Sequence, residues 1–121
     1  METTLYNREG KPVAYIAEDG ESIYTWDGRP VAYIYQDKLY GWNGRHLGWF
    51  QDGTVFDIFG YRAGFIKSKA PIPLQREPVK LPKRLAPPRQ NRQEPAVKPP
   101  SMHYGYSSKL LEDLLERGAL P

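Results

Sequence analysis

Apolar, aromatic and small residues recur along residues 4–66 in four copies of one unit. Each copy has an aromatic (Tyr6, Tyr24, Tyr40, Phe56) and, four residues later, a glycine (Gly10, Gly28, Gly44, Gly60). A small residue stands four places further on (Ala14, Ala32, Gly48, Gly64). A second aromatic (Tyr15, Tyr33, Trp49, Phe65) and a large apolar residue (Ile16, Ile34, Phe50, Ile66) follow it directly. The pattern predicts a strand, a glycine turn and a second strand in every copy. Asp27-Gly28 and Asn43-Gly44 lie between β-prone runs, and a tight hairpin turn needs the positive φ that glycine adopts freely. The pattern fits either a two-residue turn or a three-residue loop with a glycine bulge, and the choice shifts the cross-strand register by one. Second turns at Glu18-Asp19-Gly20, Gln36-Asp37 and Gln51-Asp52-Gly53 join the copies. The expected fold is all-β: four hairpins, eight short strands, pseudo-fourfold symmetry. A lone hairpin is marginal in water, but repeats can bury one face together. On this reading the small column lies where four strands converge near the axis. The aromatic column Tyr15, Tyr33, Trp49 and Phe65 is then an inner one, packing there or lining a fourfold cavity.

The pattern ends at residue 66. Nine of the twelve prolines lie between Pro71 and Pro100, while fourteen of the sixteen aromatics lie in residues 1–66. Proline fixes φ and lacks an amide donor, so residues 67–106 are expected to be extended, a Pro-rich basic tail or linker. Three readings of this tail stay open: a solvated spacer, a docking segment lying along the hairpins or in a partner's groove, and a phosphate-binding arm. Residues 107–121 form a third unit. Within it, residues 108–117 predict a short helix with Ser107 or Ser108 as N-cap and Gly118 as a left-handed C-cap. Leu110, Leu111, Leu114 and Leu115 make one apolar stripe, with Glu112, Asp113 and Glu116 turned away. So short a helix is not stable alone, and its stripe must dock on the repeat domain, on a partner or on a second copy.

The net charge of +3 conceals a division along the chain. Residues 1–66 carry six basic and nine acidic side chains, whereas residues 67–98 carry nine basic and two acidic ones. The basic tail residues Lys80, Lys83, Arg84, Arg89 and Arg92 are candidates for electrostatic contact with nucleic acid, though no aromatic stacking partner stands between residues 67 and 103. There is no cysteine, hence no disulfide framework or thiolate metal site. Two separated histidines do not make a metal site, and His46 reads as a surface turn residue. No phosphate loop or nucleophile elbow occurs. The expectation is a protein that is not an enzyme and uses no cofactor. The start lacks a secretory signal and no run is apolar enough to span a membrane, so a cytoplasmic location is expected. Trp26 with Arg29 and Trp42 with Arg45 sit around hairpin turns. Tryptophan and arginine there suit partner binding, or else each tryptophan folds back over the core under its arginine.

The units LYNREGKPVAYI, IYTWDGRPVAYI, LYGWNGRHLGWF and VFDIFGYRAGFI resemble the bacterial four-fold β-flower domain over residues 4–66. The resemblance implies four hairpin petals around a pseudo-fourfold axis; it implies no reaction and no ligand. The fourth unit departs furthest, with Phe59, Tyr61 and Arg62 in its turn. The tail is read as unrelated to the family. A weaker similarity links the units to aromatic hairpin repeats that bind choline or sugars. The reading that follows is a non-catalytic protein-protein interaction module, with tail and leucine helix as docking elements and another protein as partner. The alternatives are a carbohydrate or quaternary-amine binder and weak nucleic-acid binding by the tail.

Overall fold

Hairpin by hairpin, the repeat folds as its turn chemistry dictates. The structure, a computed structural model, describes residues 1–120; Pro121, the end of the third unit, lies outside the described residues. Eight strands run antiparallel in chain order: β1 Thr3–Asn7, β2 Pro12–Ile16, β3 Ser22–Thr25, β4 Pro30–Tyr35, β5 Lys38–Gly41, β6 His46–Gln51, β7 Thr54–Asp57 and β8 Arg62–Phe65. Each pairs with the next, and β8 returns to β1 through Tyr6–Phe65 and Asn7–Gly64, so the sheet closes into a barrel. Closure removes the free edges that a small open sheet would expose.

All four petal turns are three-residue loops with a glycine bulge. The amide of Gly10 donates to the carbonyl of Asn7, Gly28 to Thr25, Gly44 to Gly41 and Gly60 to Asp57, all at 2.9–3.0 Å. Each of these glycines has φ between 82° and 90°. The register slips by one residue beside each turn, for example between Leu5 and Tyr6. The first turn residue reinforces the loop where its side chain allows: Asn7 and Asp57 each accept two backbone amides from within their own turn.

That slip decides which residues face inward. The barrel interior is aliphatic: Leu5, Ile23, Leu39 and Val55 form one fully buried ring, with Val31, Leu47 and Ala63 beside them. The small column is buried as expected, but neighbours other than its own members limit its size. A Cβ at Gly64 would meet Leu111 at 2.6 Å, and one at Gly48 would overlap the carbonyl of Phe56 on the adjacent strand. The column Tyr15, Tyr33, Trp49 and Phe65, read from sequence as inner, is not part of this core. Its residues alternate with the core-facing Ala14 and Ile16 and their equivalents, and so lie on the outer face. They are nonetheless buried, because other parts of the chain cover them.

The cover is the C-terminal half. After a 3-10 turn at Lys67–Lys69, residues 70–106 run extended around the barrel, petal by petal. The amides of Gln75, Arg84 and Gln93 donate to the carbonyls of Gly10, Gly28 and Gly44, and that of His103 to Gly60, at 2.8–2.9 Å. Those of Leu81 and Gln90 donate to Trp26 and Trp42. The solvated-spacer reading is therefore corrected: the segment is an arm lying along the petals. Its contacts recur every nine residues over the first three petals, and the prolines keep the same step at Pro73 and Pro82 and at Pro78 and Pro87. The petal glycines serve this path too, since a Cβ at Gly28 would overlap the carbonyl oxygen of Pro82.

The chain ends by plugging the barrel. Helix α1, Leu111–Glu116, packs against β1, β2, β4 and β8, and its Leu111, Leu114 and Leu115 join the same buried cluster as the strand residues. The third unit is thus part of the core and not a separate docking element. The helix is shorter than predicted and starts at Leu110 without a side-chain cap. The Ser107 hydroxyl donates instead to Asp57 at 2.6 Å, tying the arm to the fourth petal. Gly118 does not take up positive φ; it is glycine because its Cα lies against Gly41 and the Val31 carbonyl.

Candidate interaction surface

Most residues singled out in the sequence are occupied within the molecule. Leu111, Leu114 and Leu115 are buried in the core and Leu110 is half-buried at the helix start, so the leucine stripe presents no free face to a partner. Arg29 makes a bidentate pair with Glu116 at 2.9 and 2.7 Å, holding the helix to the second petal; beside it Glu116 stays ionised below the usual carboxylate range. Arg45 is exposed and joins no ion pair among the described residues. Trp26 is half-buried and Trp42 buried. Their indole N–H groups donate to the carbonyls of Pro78 and Pro87 at 2.9 and 2.7 Å. The cations over their rings are Lys80 and Arg89 of the arm, not Arg29 and Arg45.

The basic arm is matched to the acidic, aromatic barrel, which accounts for the charge division along the chain. Lys80 and Lys83 both reach Glu2, at 2.8 and 2.6 Å, Arg84 approaches Asp27, Arg89 pairs with Glu21 at 2.9 Å, and Lys98 binds Asp37. The hydrogen bonds from Lys80 and Lys83 hold the Glu2 carboxyl below its ordinary pKa, and that from Lys98 does the same for Asp37. The same cations cap the outer aromatic column: Lys80 lies 4.3 Å from the Tyr15 ring centre, Arg89 4.1 Å from Tyr33 and Lys98 5.6 Å from Trp49. Arg92 sits 3.9 Å over Tyr35, beside an open groove of about 730 Å³ between the arm and petals two and three. Cation–π contacts of this kind contribute roughly 0.5–2 kcal/mol each, more as water is excluded.

His46 is a further correction. It opens β6 buried, between the rings of Tyr40 and Trp49, and its Nδ1 accepts the amide of Ala96 at 3.0 Å. Burial pushes its pKa down, so the imidazole is neutral.

The fourth petal is different. Its turn exposes Phe59, 70% accessible at the tip. The Tyr61 ring stacks on His103 of the arm with centres 4.3 Å apart. Gly105 allows this approach, since a Cβ there would meet the Tyr61 ring at 3.2 Å. The arm then makes a short parallel bridge from Tyr106 to Arg62, which places Tyr104 outward and 90% accessible. The Arg62 guanidinium is enclosed by rings, 4.8 Å from Tyr106, 5.6 Å from Phe65 and 5.8 Å from Tyr104. Its buried Nε has no hydrogen-bond partner among the described residues. Phe59, Tyr61, Tyr104 and Tyr106 therefore leave aromatic surface open to solvent around this petal. The sequence marked half of it through the departure of the fourth unit. The other half, Tyr104 and Tyr106, are the two aromatics outside the repeat region.

No described helix is long and apolar enough to cross a membrane. No curated protein and no solved structure matches the chain. One family does match, the 4-fold beta flower proteins, over residues 3–115. That stretch takes in the arm and most of the helix as well as the petals, beyond the boundary at residue 66 suggested by the repeat. With four glycine-turn petals, a closed barrel and a match across most of its length, this chain belongs to the 4-fold beta flower family.

Proposed function

We propose that the protein is a non-catalytic protein-interaction module whose recognition surface is the aromatic cluster of the fourth petal. The observation that carries this reading is the contrast in exposure between petals. The residue before the turn glycine is Glu9, Asp27 or Asn43 on the first three petals, whereas on the fourth it is Phe59, which stands free at the tip, as does Tyr104 of the arm. Grouped exposed aromatics rimmed by polar groups mark interaction sites more often than scattered ones, and tyrosine and arginine are enriched in binding hot spots. The cluster sits on a closed barrel and is pinned by Ser107 on Asp57, so little ordering entropy opposes binding.

The remaining chemistry supports this choice. Carboxylates held below their ordinary pKa anchor the arm, the helix or a turn: Glu2, Asp19, Asp27, Asp37 and Glu116. Nucleic-acid binding by the arm is less favoured, because Lys80, Lys83, Arg84, Arg89 and Lys98 already face barrel carboxylates.

The test is affinity capture from native lysate with the full chain, compared with the Phe59→Ala/Tyr104→Ala double variant. A protein retained by the wild type and lost by a folded double variant is the expected result. Equal retention by both would remove the fourth petal from the reading. Nuclease-sensitive absorbance at 260 nm in the captured fraction would favour nucleic acid instead.

A further inference from the structure

Many cations of this molecule meet a carboxylate of the same chain. Lys80 and Lys83 meet Glu2, Arg89 meets Glu21, Lys98 meets Asp37 and Arg29 meets Glu116. Three that do not are gathered in one place. Arg45 follows the third-petal glycine, Lys109 stands just before the helix and Arg117 caps its end. All three are exposed, and among the described residues none joins an ion pair. They line two adjoining pockets between the third petal, the fourth petal and the helix. Arg45 and Arg117 border the first, Lys109 and Arg117 the second, so Arg117 serves both.

The two pockets share an apolar floor of Leu47, Ile58 and Leu114. Each holds about 60 Å³, the share of about two waters at about 30 Å³ apiece. That space admits one side chain at a time. Phe59 borders the second pocket. Asp57 is the carboxylate in the lining, and it is already engaged. It accepts the Ser107 hydroxyl at 2.6 Å and the amides of Phe59 and Tyr61 at 3.0 and 2.9 Å. The three cations are left to face a partner. A cleft lined by one sign of charge, with low-dielectric walls, focuses its field and draws in the opposite charge. An arginine fork holds a carboxylate by two parallel hydrogen bonds.

We infer that this crevice takes an acidic segment of another protein, with one glutamate side chain seated in each pocket. The first carboxylate meets Arg45 and Arg117, and the second meets Lys109 and Arg117. The methylenes of each side chain lie on the Leu47, Ile58 and Leu114 floor. This rests on the interaction-module reading above, to which Phe59 at the rim belongs, and names its partner's chemistry. A nucleic-acid backbone would supply the negative charge but would leave the apolar floor uncovered.

The experiment uses the full isotope-labelled chain and a blocked ten-residue peptide of alternating glutamate and alanine. The control peptide has glutamine in place of glutamate. Amide and arginine side-chain shifts are followed by NMR. The expected result is saturable shifts at residues 45–47, 58–59, 108–109 and 114–117, weakening with added salt and absent with the control. The Arg45→Gln/Arg117→Gln variant should keep the remaining spectrum, since both side chains are exposed, and bind at least tenfold more weakly. Absence of saturation, equal response to the control, or shifts centred on Lys80, Arg89 and Arg92 of the arm would each overturn the inference. So would a single-stranded oligonucleotide that binds the same residues more tightly than the peptide. If lysate capture depends on Phe59 and Tyr104 while the acidic peptide does not bind, the inference falls and the interaction module stands. If the peptide binds the crevice while capture ignores Phe59 and Tyr104, the crevice stands and the aromatic surface falls.

Discussion

Replacing Leu111 with alanine separates a helix that plugs the barrel from one that merely rests on it. Leu111 is fully buried, in one cluster with Leu5, Val31 and Val55, and its Cδ2 lies against the backbone of Gly64. Truncation removes three carbons, worth about 0.8 kcal/mol per methylene in transfer. A cavity term adds to this, because closed strands cannot collapse fully into the space. The expected loss is about 3–4 kcal/mol. A domain of this size has about 6–18 kcal/mol to lose. At roughly 4 °C per kcal/mol the midpoint should fall by about 12–16 °C. Urea unfolding followed by circular dichroism measures the loss, and calorimetry measures the midpoint. Asp113→Ala, an exposed change on the same helix, is the control and should move either by no more than about 0.5 kcal/mol. A loss below about 1 kcal/mol for Leu111→Ala would refute the plug and restore the helix as a surface element. Leu111→Asp should not fold at all, since it places a carboxylate among aliphatic side chains.

Two more outcomes follow from the arm. Gly28→Ala forces a side chain into φ near 90° and against the Pro82 carbonyl, so it should cost about 1–3 kcal/mol. Hydrogen exchange should quicken at Leu81 and Arg84 well before the strands respond, and unchanged exchange there would contradict the arm's path. Lowering pH through 6.5, the ordinary histidine value, should loosen the arm near Ala96. Burial depresses the His46 pKa in the folded state, so its stability contribution is complete above 6.5 and declines as pH falls toward the folded value. Exchange of the Ala96 amide between pH 7.5 and 5.5, in wild type and His46→Gln, reads this directly. A pH response that the variant shares fully would assign the effect to another group.

The sequence by itself determined the four hairpins, while the closure of β8 onto β1 is a nonlocal pairing. Glycine turns at intervals of eighteen, sixteen and sixteen residues encode four hairpins through local chemistry, since each turn needs only its own residues to form. The helix was legible for the same reason, as a leucine stripe that had to be covered, although its ends were not. Ser107 and Gly118 carry the local signatures of caps, but contacts with Asp57 and Gly41 claimed them. Tertiary structure alone decided the rest. A one-residue bulge beside each turn exchanges the faces of a strand, and two readings of one glycine differ by that residue. Tyr15 and its equivalents alternate with the core-facing small column and so form, outside the barrel, the floor for the arm. Among the described residues the arm makes no hydrogen bonds within itself, and its partners lie tens of residues away: Glu2 for Lys80, Trp26 for Pro78, His46 for Ala96. Polyproline II has no internal hydrogen-bond ladder, so nothing local records where such a segment lies. Its faint nine-residue step acquires meaning only beside the petals that set it. The aromatic surface open on petal four follows from the same geometry, because it depends on where the arm crosses that petal.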